Sequence, residues 1–120
     1  MTFNVEIVLK GRDAAVTEAV SVAHGEPATW DEAAVRDVLV EILRAIERAE
    51  HPGAPSDRGV ILQGFSWIVE PAEGRDVIAI EIPMGAAVAG PFAVEQARLD
   101  ATIARVLRTE RQMVAPSTVH

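Results

Sequence analysis

Four carboxylates lie close together in the sequence and form the set of residues best suited to acid–base chemistry: Glu70, Glu73, Asp76 and Glu81. Glu81 stands between two isoleucines that point to the predicted core, on a strand face that is otherwise apolar. Apolar surroundings raise the pKa of a carboxyl group toward that of a general acid, so Glu81 is a candidate buried acid. The alternative is an ordinary solvated strand face. No catalytic residue is assigned, because no histidine or serine with a defined partner stands beside these carboxylates.

Residues 85–90 are small, and they are bounded by Gly85 and Gly90. We interpret them as a loop that runs from a strand into a helix beginning at Pro91. Free N–H groups at a helix start can bind a carboxylate or a phosphate, although this loop lacks the G-K-[ST] ending of a phosphate loop. A cleft between this loop and the sheet is one hypothesis. Packing of the loop against the sheet edge or a second subunit is the other.

Two aromatic residues, Phe65 and Trp67, share a strand face with Gln63. If the helices cover the opposite face, this aromatic surface is left for a partner or a ligand, as at many interfaces. The alternative is core packing. Because both faces of this strand are apolar, something must cover the second face, and a homodimer would do so.

The histidines give no metal-binding pattern, because His24, His51 and His120 are far apart and none has the spacing of a zinc motif. We therefore predict no metal site and no cofactor. Arg98, Arg105 and Arg108 could form an anion-binding stripe on the second helix, or could simply form its solvated face.

Composition excludes several classes of function. The chain has 120 residues, no cysteine and a net charge of −7, and Lys10 is its single lysine. Such a chain has no basic patch for nucleic acid, and its longest uncharged stretch, residues 82–94, is too short and broken to span a membrane. Without cysteine or a signal-peptide pattern, we expect a cytoplasmic protein.

The elements that must position these residues begin with a strand over residues 2–10, whose apolar residues alternate. Residues 14–23 fit either a short helix or a return strand, and we favour the strand. Thr29 and Glu32 form a capping-box pattern ahead of an amphipathic helix that ends near Glu50. A breaker-rich connection, residues 51–57, follows.

Two further strands, residues 58–70 and 76–82, are predicted to form a hairpin. The second helix follows, with an apolar seam that begins at Phe92. We expect an α+β fold, a two-layer sandwich with a mainly antiparallel sheet of three to four strands and both amphipathic helices on one face. Residues 1–114 would form a single domain, and residues 115–120 a disordered tail.

The function predicted from these features is a non-enzymatic binding or assembly module that acts as a homo-oligomer or as a subunit of a larger complex. Its partner would be a second copy or another protein, and not nucleic acid or membrane. The alternative is a small-molecule-binding protein or enzyme that uses the cleft beside Gly85 and Gly90.

Overall fold

The computed structural model describes residues 1–53 and 60–114, so the predicted tail and part of the predicted connection at 51–57 lie outside the described residues. Within these ranges the fold is α+β, with five strands and two helices. In chain order these are β1 (Thr2–Leu9), β2 (Val16–Ser21), α1 (Glu32–Glu50), β3 (Ser66–Ala72), β4 (Arg75–Ile82), β5 (Gly85–Phe92) and α2 (Gln96–Val114).

The strands form one sheet in the order β2-β1-β5-β4-β3, and every neighbouring pair is antiparallel. The prediction of three to four strands is therefore wrong by one strand. The additional strand is β5, the segment that was interpreted as a loop. Glycine, alanine and proline are poor strand formers, but β5 lies between β1 and β4 and pairs with both. Tertiary pairing thus overrides local propensity here.

The ambiguous segment after the first turn is a strand. β2 pairs with β1 in a regular register that runs from Thr2 opposite Ser21 to Ile7 opposite Val16. The favoured prediction for residues 14–23 is confirmed in its type, with a shorter extent. β1 itself alternates strictly between exposed and buried residues, as its sequence pattern predicts.

The capping box predicted at Thr29 is wrong, because α1 is capped by Asp31. The Asp31 carboxylate accepts a hydrogen bond from the backbone N–H of Ala34 at 2.9 Å. Thr29 instead ends a 3₁₀ turn, Pro27–Thr29, and its hydroxyl donates to the carbonyl oxygen of Glu26 at 2.7 Å. Threonine and aspartate are both good N-cap residues. Because Thr29 belongs to the 3₁₀ turn, α1 begins after it and Asp31 occupies the N-cap position.

The predicted hairpin is present as β3 and β4, although β3 begins only at Ser66. Residues 60–65 precede it without regular strand structure. The turn between the strands contains Glu73 and Gly74, which have φ angles of 52° and 82°. Glycine suits the second position because it adopts a left-handed conformation without a steric penalty.

Phe92 ends β5 and does not begin α2, which starts at Gln96. Its ring is fully buried and lies 5.0 Å from the ring of Phe3 and 5.2 Å from that of Trp30, both in edge-to-face arrangements. It belongs to one hydrophobic cluster that joins alternate strand residues with the apolar sides of α1 and α2. The opposite alternation of strand residues is largely exposed.

Candidate functional site

Three large aliphatic side chains are exposed on the outward side of the sheet, where Val77 is half-buried. Val8, Val88 and Ile68 are 51%, 41% and 54% exposed, respectively. The register places Val88 opposite Ala79, and Ala79 opposite Ile68, so these residues form one row across three strands. Val8 lies in the adjacent row, opposite Ala86. We call this surface, formed by Val8, Ile68, Ala79, Ala86 and Val88, the open face.

Carboxylates surround the open face. Glu6 lies opposite Val88 in the β1–β5 ladder, and Glu81 lies between Ala86 and Ser66. Glu70 follows Ile68 by two residues on the same side of β3. All three side chains are exposed. The open face therefore combines an apolar centre with an acidic rim, an arrangement suited to contact with another macromolecule.

The open face is shallow. A depression of about 350 Å³ lies over its middle and is lined by Ile68, Ala79, Glu81, Ala86 and Val88, among others. The short alanine side chains leave the centre low and nearly flat. Such a surface fits a broad partner better than it fits a small molecule, which binds in deeper concave sites.

Of the predicted interface residues, Trp67 lies on the opposite side of β3 from Ile68, and Phe65 directly precedes the strand. Both are partly buried and pack against the hydrophobic core. Together with the exposed Gln63 they line a groove of about 560 Å³ beside α2. Helix α2 packs against the face that carries these aromatics, so the uncovered face is the one that carries Ile68. Sequence periodicity identified the two faces of β3 but not which one the helices cover.

Gly85 and Gly90 both belong to β5, so the loop that would have formed the predicted cleft does not exist. Gly85 lines a cavity of about 860 Å³ at the strand ends, together with Lys10, Phe65, Ser66 and Glu81. Gly90 lies at the other end of β5, where its φ angle is 127°. The two glycines are therefore not parts of one site.

Glu81 is not a buried acid, because its side chain is exposed on the rim of the open face. The buried carboxylate is Asp76, which is 4% exposed at the start of β4. Asp76 lies two residues before Ile78 and four before Ile80, so it is on the same buried side of β4 as these isoleucines. That period of two is the signal in the sequence that could have identified it.

The sequence matches no known protein family, and comparisons with the curated proteins and with the solved structures find no similar protein.

The histidines and the described carboxylates do not converge on a metal site. His24 lies 2.8 Å from a carboxylate oxygen of Asp37, and His120 lies outside the described residues. Among residues 1–53 and 60–114, no three histidine, aspartate or glutamate side chains come close enough to hold a metal ion. In the same part of the chain, neither helix combines the length and the apolar character that crossing a membrane requires.

The arginine stripe predicted on α2 is divided by local contacts. Arg98 donates to the carbonyl oxygen of Trp30 at 3.3 Å, and Arg105 pairs with Glu32 of α1 at 3.2 Å. Arg108 lines the groove beside Trp67, where Arg111 joins it. The three predicted residues thus have different surroundings, and Arg111 is a member that the sequence interpretation missed.

Proposed function

We propose that this chain is a non-enzymatic binding or assembly module that acts as a homo-oligomer or as a subunit of a larger complex, and that the open face is its contact surface. In this proposal the fold is a two-layer sandwich, with both helices on the buried face of the sheet. The observation that carries the proposal is the row of exposed aliphatic side chains that runs from Val88 to Ile68. Contiguous apolar surface of this kind marks interaction sites in water-soluble domains.

The area of the sheet suits a small specific interface. Five strands at a spacing of about 4.8 Å, each up to about 26 Å long, give a face of roughly 600 Å² per copy. Two such faces would bury roughly 1,200 Å², the lower end of the range for specific complexes. We therefore expect a reversible, concentration-dependent association and not a permanent one.

A second copy of the chain is the occupant that the shape of the face favours. Two sheets stack face to face at about 10 Å, which requires side chains of modest and matching height. Ala79 and Ala86 lie beside Val88 in the register, so two identical faces could approach closely over their centres. Self-association would also cover the second apolar face of β3, which the sequence left without a partner.

Light scattering after size exclusion, run over a wide range of protein concentration, tests this proposal. The wild-type mass should rise from monomer toward dimer as the concentration increases. Ile68→Glu should abolish this rise, because it places a fourth carboxylate on the face. Ile61→Glu is the matched control, since Ile61 is 66% exposed but lies beside Leu43 and Glu47, away from the open face.

Two results would contradict the proposal. One is a wild-type monomer at every concentration. The other is equal loss of association in the Ile61 and Ile68 variants, which would place the contact elsewhere. Circular dichroism of each variant establishes that its fold is intact before the masses are compared.

The second candidate function is a small-molecule-binding protein or enzyme that uses the cavity at the strand ends. The observation in its favour is that Lys10, Ser66 and Glu81 line this cavity of about 860 Å³ together. A cytoplasmic location, which the cysteine-free composition favours, would suit either function. A thermal-shift screen of small polar molecules tests this candidate, and a stabilising ligand should lose its effect in Lys10→Ala. A ligand whose effect survives that change would bind elsewhere.

A further inference from the structure

The groove beside α2 is lined by aromatic and basic side chains, and its basic wall does not belong to the open face. Its aromatic wall is formed by Phe65 and Trp67, and its other wall by Leu107, Arg108 and Arg111 of α2. Its volume of about 560 Å³ lies within the usual range of small-molecule sites. Neither Ile68 nor Val88 belongs to its lining.

The charge of this groove is opposite to that of the chain. The protein carries 18 acidic and 11 basic residues, yet the described lining of the groove contains two arginines and no carboxylate. Arg36, Arg44, Arg48 and Arg105 are all paired with glutamates. Within residues 1–53 and 60–114, Arg108 and Arg111 have no such partner. Two guanidinium groups on one wall, with no carboxylate partner among the described residues, make a local positive potential on a protein of net negative charge.

The two arginines are placed to act together. They are three residues apart on α2, so their side chains leave the same side of the helix. Ala104 and Leu107 also line the groove and add apolar surface to the wall that carries the arginines. A guanidinium group binds a carboxylate or phosphate through paired hydrogen bonds, and an indole face stacks on planar rings.

From this combination we infer that the groove binds a small planar aromatic molecule that carries a carboxylate or a phosphate. The ring lies against Trp67 and Phe65, and the anionic group meets Arg108 and Arg111. The exposed amide of Gln63 at the edge of the groove supplies a further polar contact. Trp67 lines both this groove and the depression over the open face, whereas Arg108 and Arg111 line the groove and not that depression, so the two arginines distinguish this site from the open face.

Naphthalene-2-carboxylate is a suitable probe, with naphthalene-2-methanol as its uncharged match. The titration is followed by NMR on the full chain, where the two indole N–H signals report separately. The Trp67 signal should shift, while that of Trp30, which is 3% exposed in the core, should stay in place. The uncharged analogue should bind roughly tenfold more weakly, which corresponds to about 1.4 kcal/mol of lost charge interaction.

Substitutions of the two arginines test whether they contact the anionic group of the probe. The double substitution Arg108→Gln, Arg111→Gln should weaken binding of the carboxylate by at least roughly tenfold and leave the uncharged analogue unchanged. Arg105→Gln is the matched control, since Arg105 is an exposed arginine on the same helix that is already paired with Glu32, and it should keep wild-type affinity.

The inference would be overturned by no binding of the carboxylate, by equal affinity for the two naphthalenes, or by wild-type affinity in the double variant. Shifts confined to Val88 and Ile68 would also overturn it, because they would place the probe on the open face. Unchanged thermal melting of the variants separates lost binding from lost folding.

Discussion

Gly85 of β5 lies opposite Leu9 of β1, so close that a Cβ atom on Gly85 would lie 2.9 Å from the Cα atom of Leu9. The same Cβ would overlap the carbonyl oxygen of Val8. A main-chain atom cannot move aside as a side chain can, so only glycine fits here. The close approach lets β5 pair with β1 through to the end of the ladder.

Gly85→Ala should destabilise the protein by about 1–3 kcal/mol, as overpacking in an ordered interior does. Urea denaturation measures the change in the free energy of unfolding. The control is Gly25→Ala, because no atom lies within 4 Å of a Cβ built on Gly25. Equal stability of the two variants would show that β5 does not approach β1 as described.

The difference between β5 and the other strands shows which strands can be predicted from the sequence. β1 and β4 carry branched or aromatic residues at alternate positions, and these patterns are visible without a structure. β5 also alternates, with Ala87 and Ala89 buried and Ala86 and Val88 exposed, but its small residues make that alternation invisible to a hydrophobicity pattern. Its strand conformation is set by pairing with β4, which directly precedes it, and with β1, which comes from a distant part of the chain.

The candidate site was predictable only in part for a related reason. The two apolar faces of β3 follow from its sequence, and so does the need for something to cover the second face. Which face α2 covers depends on how the helix returns to the sheet after β5, and this cannot be deduced from β3 itself. The expected interface on Phe65 and Trp67 therefore lies on the helix side, while Ile68 faces outward.

The position of the cap on α1 gives a second stability prediction. Asp31→Ala should cost about 1 kcal/mol, because it removes the acceptor of the Ala34 N–H. Thr29→Ala should cost less than half of this, since Thr29 lies outside the helix and its hydroxyl bonds only to Glu26. Chemical denaturation of both variants compares the two residues directly. The reverse order would restore the capping box that the sequence pattern indicated.

Arg36 joins the two helices through Glu110, with Nε and Oε2 3.0 Å apart. The hydrogen bonds that Arg36 donates to the Glu110 carboxylate raise the pKa of Arg36, so the guanidinium group stays charged at all ordinary pH values. The stabilisation tied to this raised pKa is complete at neutral pH and is lost only as the pH rises through it.

Arg36→Ala should therefore destabilise the fold by less than about 1 kcal/mol, since the Arg36 side chain is 45% exposed and water screens the pair. The loss should be the same at pH 7 and pH 9, because Arg36 does not titrate between them. Thermal unfolding at both pH values measures it, with Arg105→Ala, from the more exposed pair with Glu32, as the comparison. A loss that changed between pH 7 and pH 9 would contradict this account of the pair.

The acidic rim of the open face predicts how salt changes the strength of self-association. Self-association through the open face brings together two copies of Glu6, Glu70 and Glu81, which repel each other. Salt screens this repulsion, because the Debye length falls from about 10 Å at 0.1 M salt to about 3 Å at 1 M. Added sodium chloride should therefore tighten the association measured by analytical ultracentrifugation. Glu6→Gln combined with Glu70→Gln should tighten it at low salt and flatten the salt dependence. Association that weakens with salt would instead indicate a contact between opposite charges.

The most direct test of the proposed contact through the open face is cross-linking. Because the chain contains no cysteine, a single introduced thiol can be cross-linked at a chosen position. Ala79→Cys places it at the centre of the open face, and Ala101→Cys places it on the exposed side of α2. Each variant is treated with a flexible bismaleimide at a concentration where wild-type dimer forms. The account predicts a covalent dimer from the Ala79 variant and little from the Ala101 variant. Equal yields from both, or a dimer from the Ala101 variant alone, would contradict it.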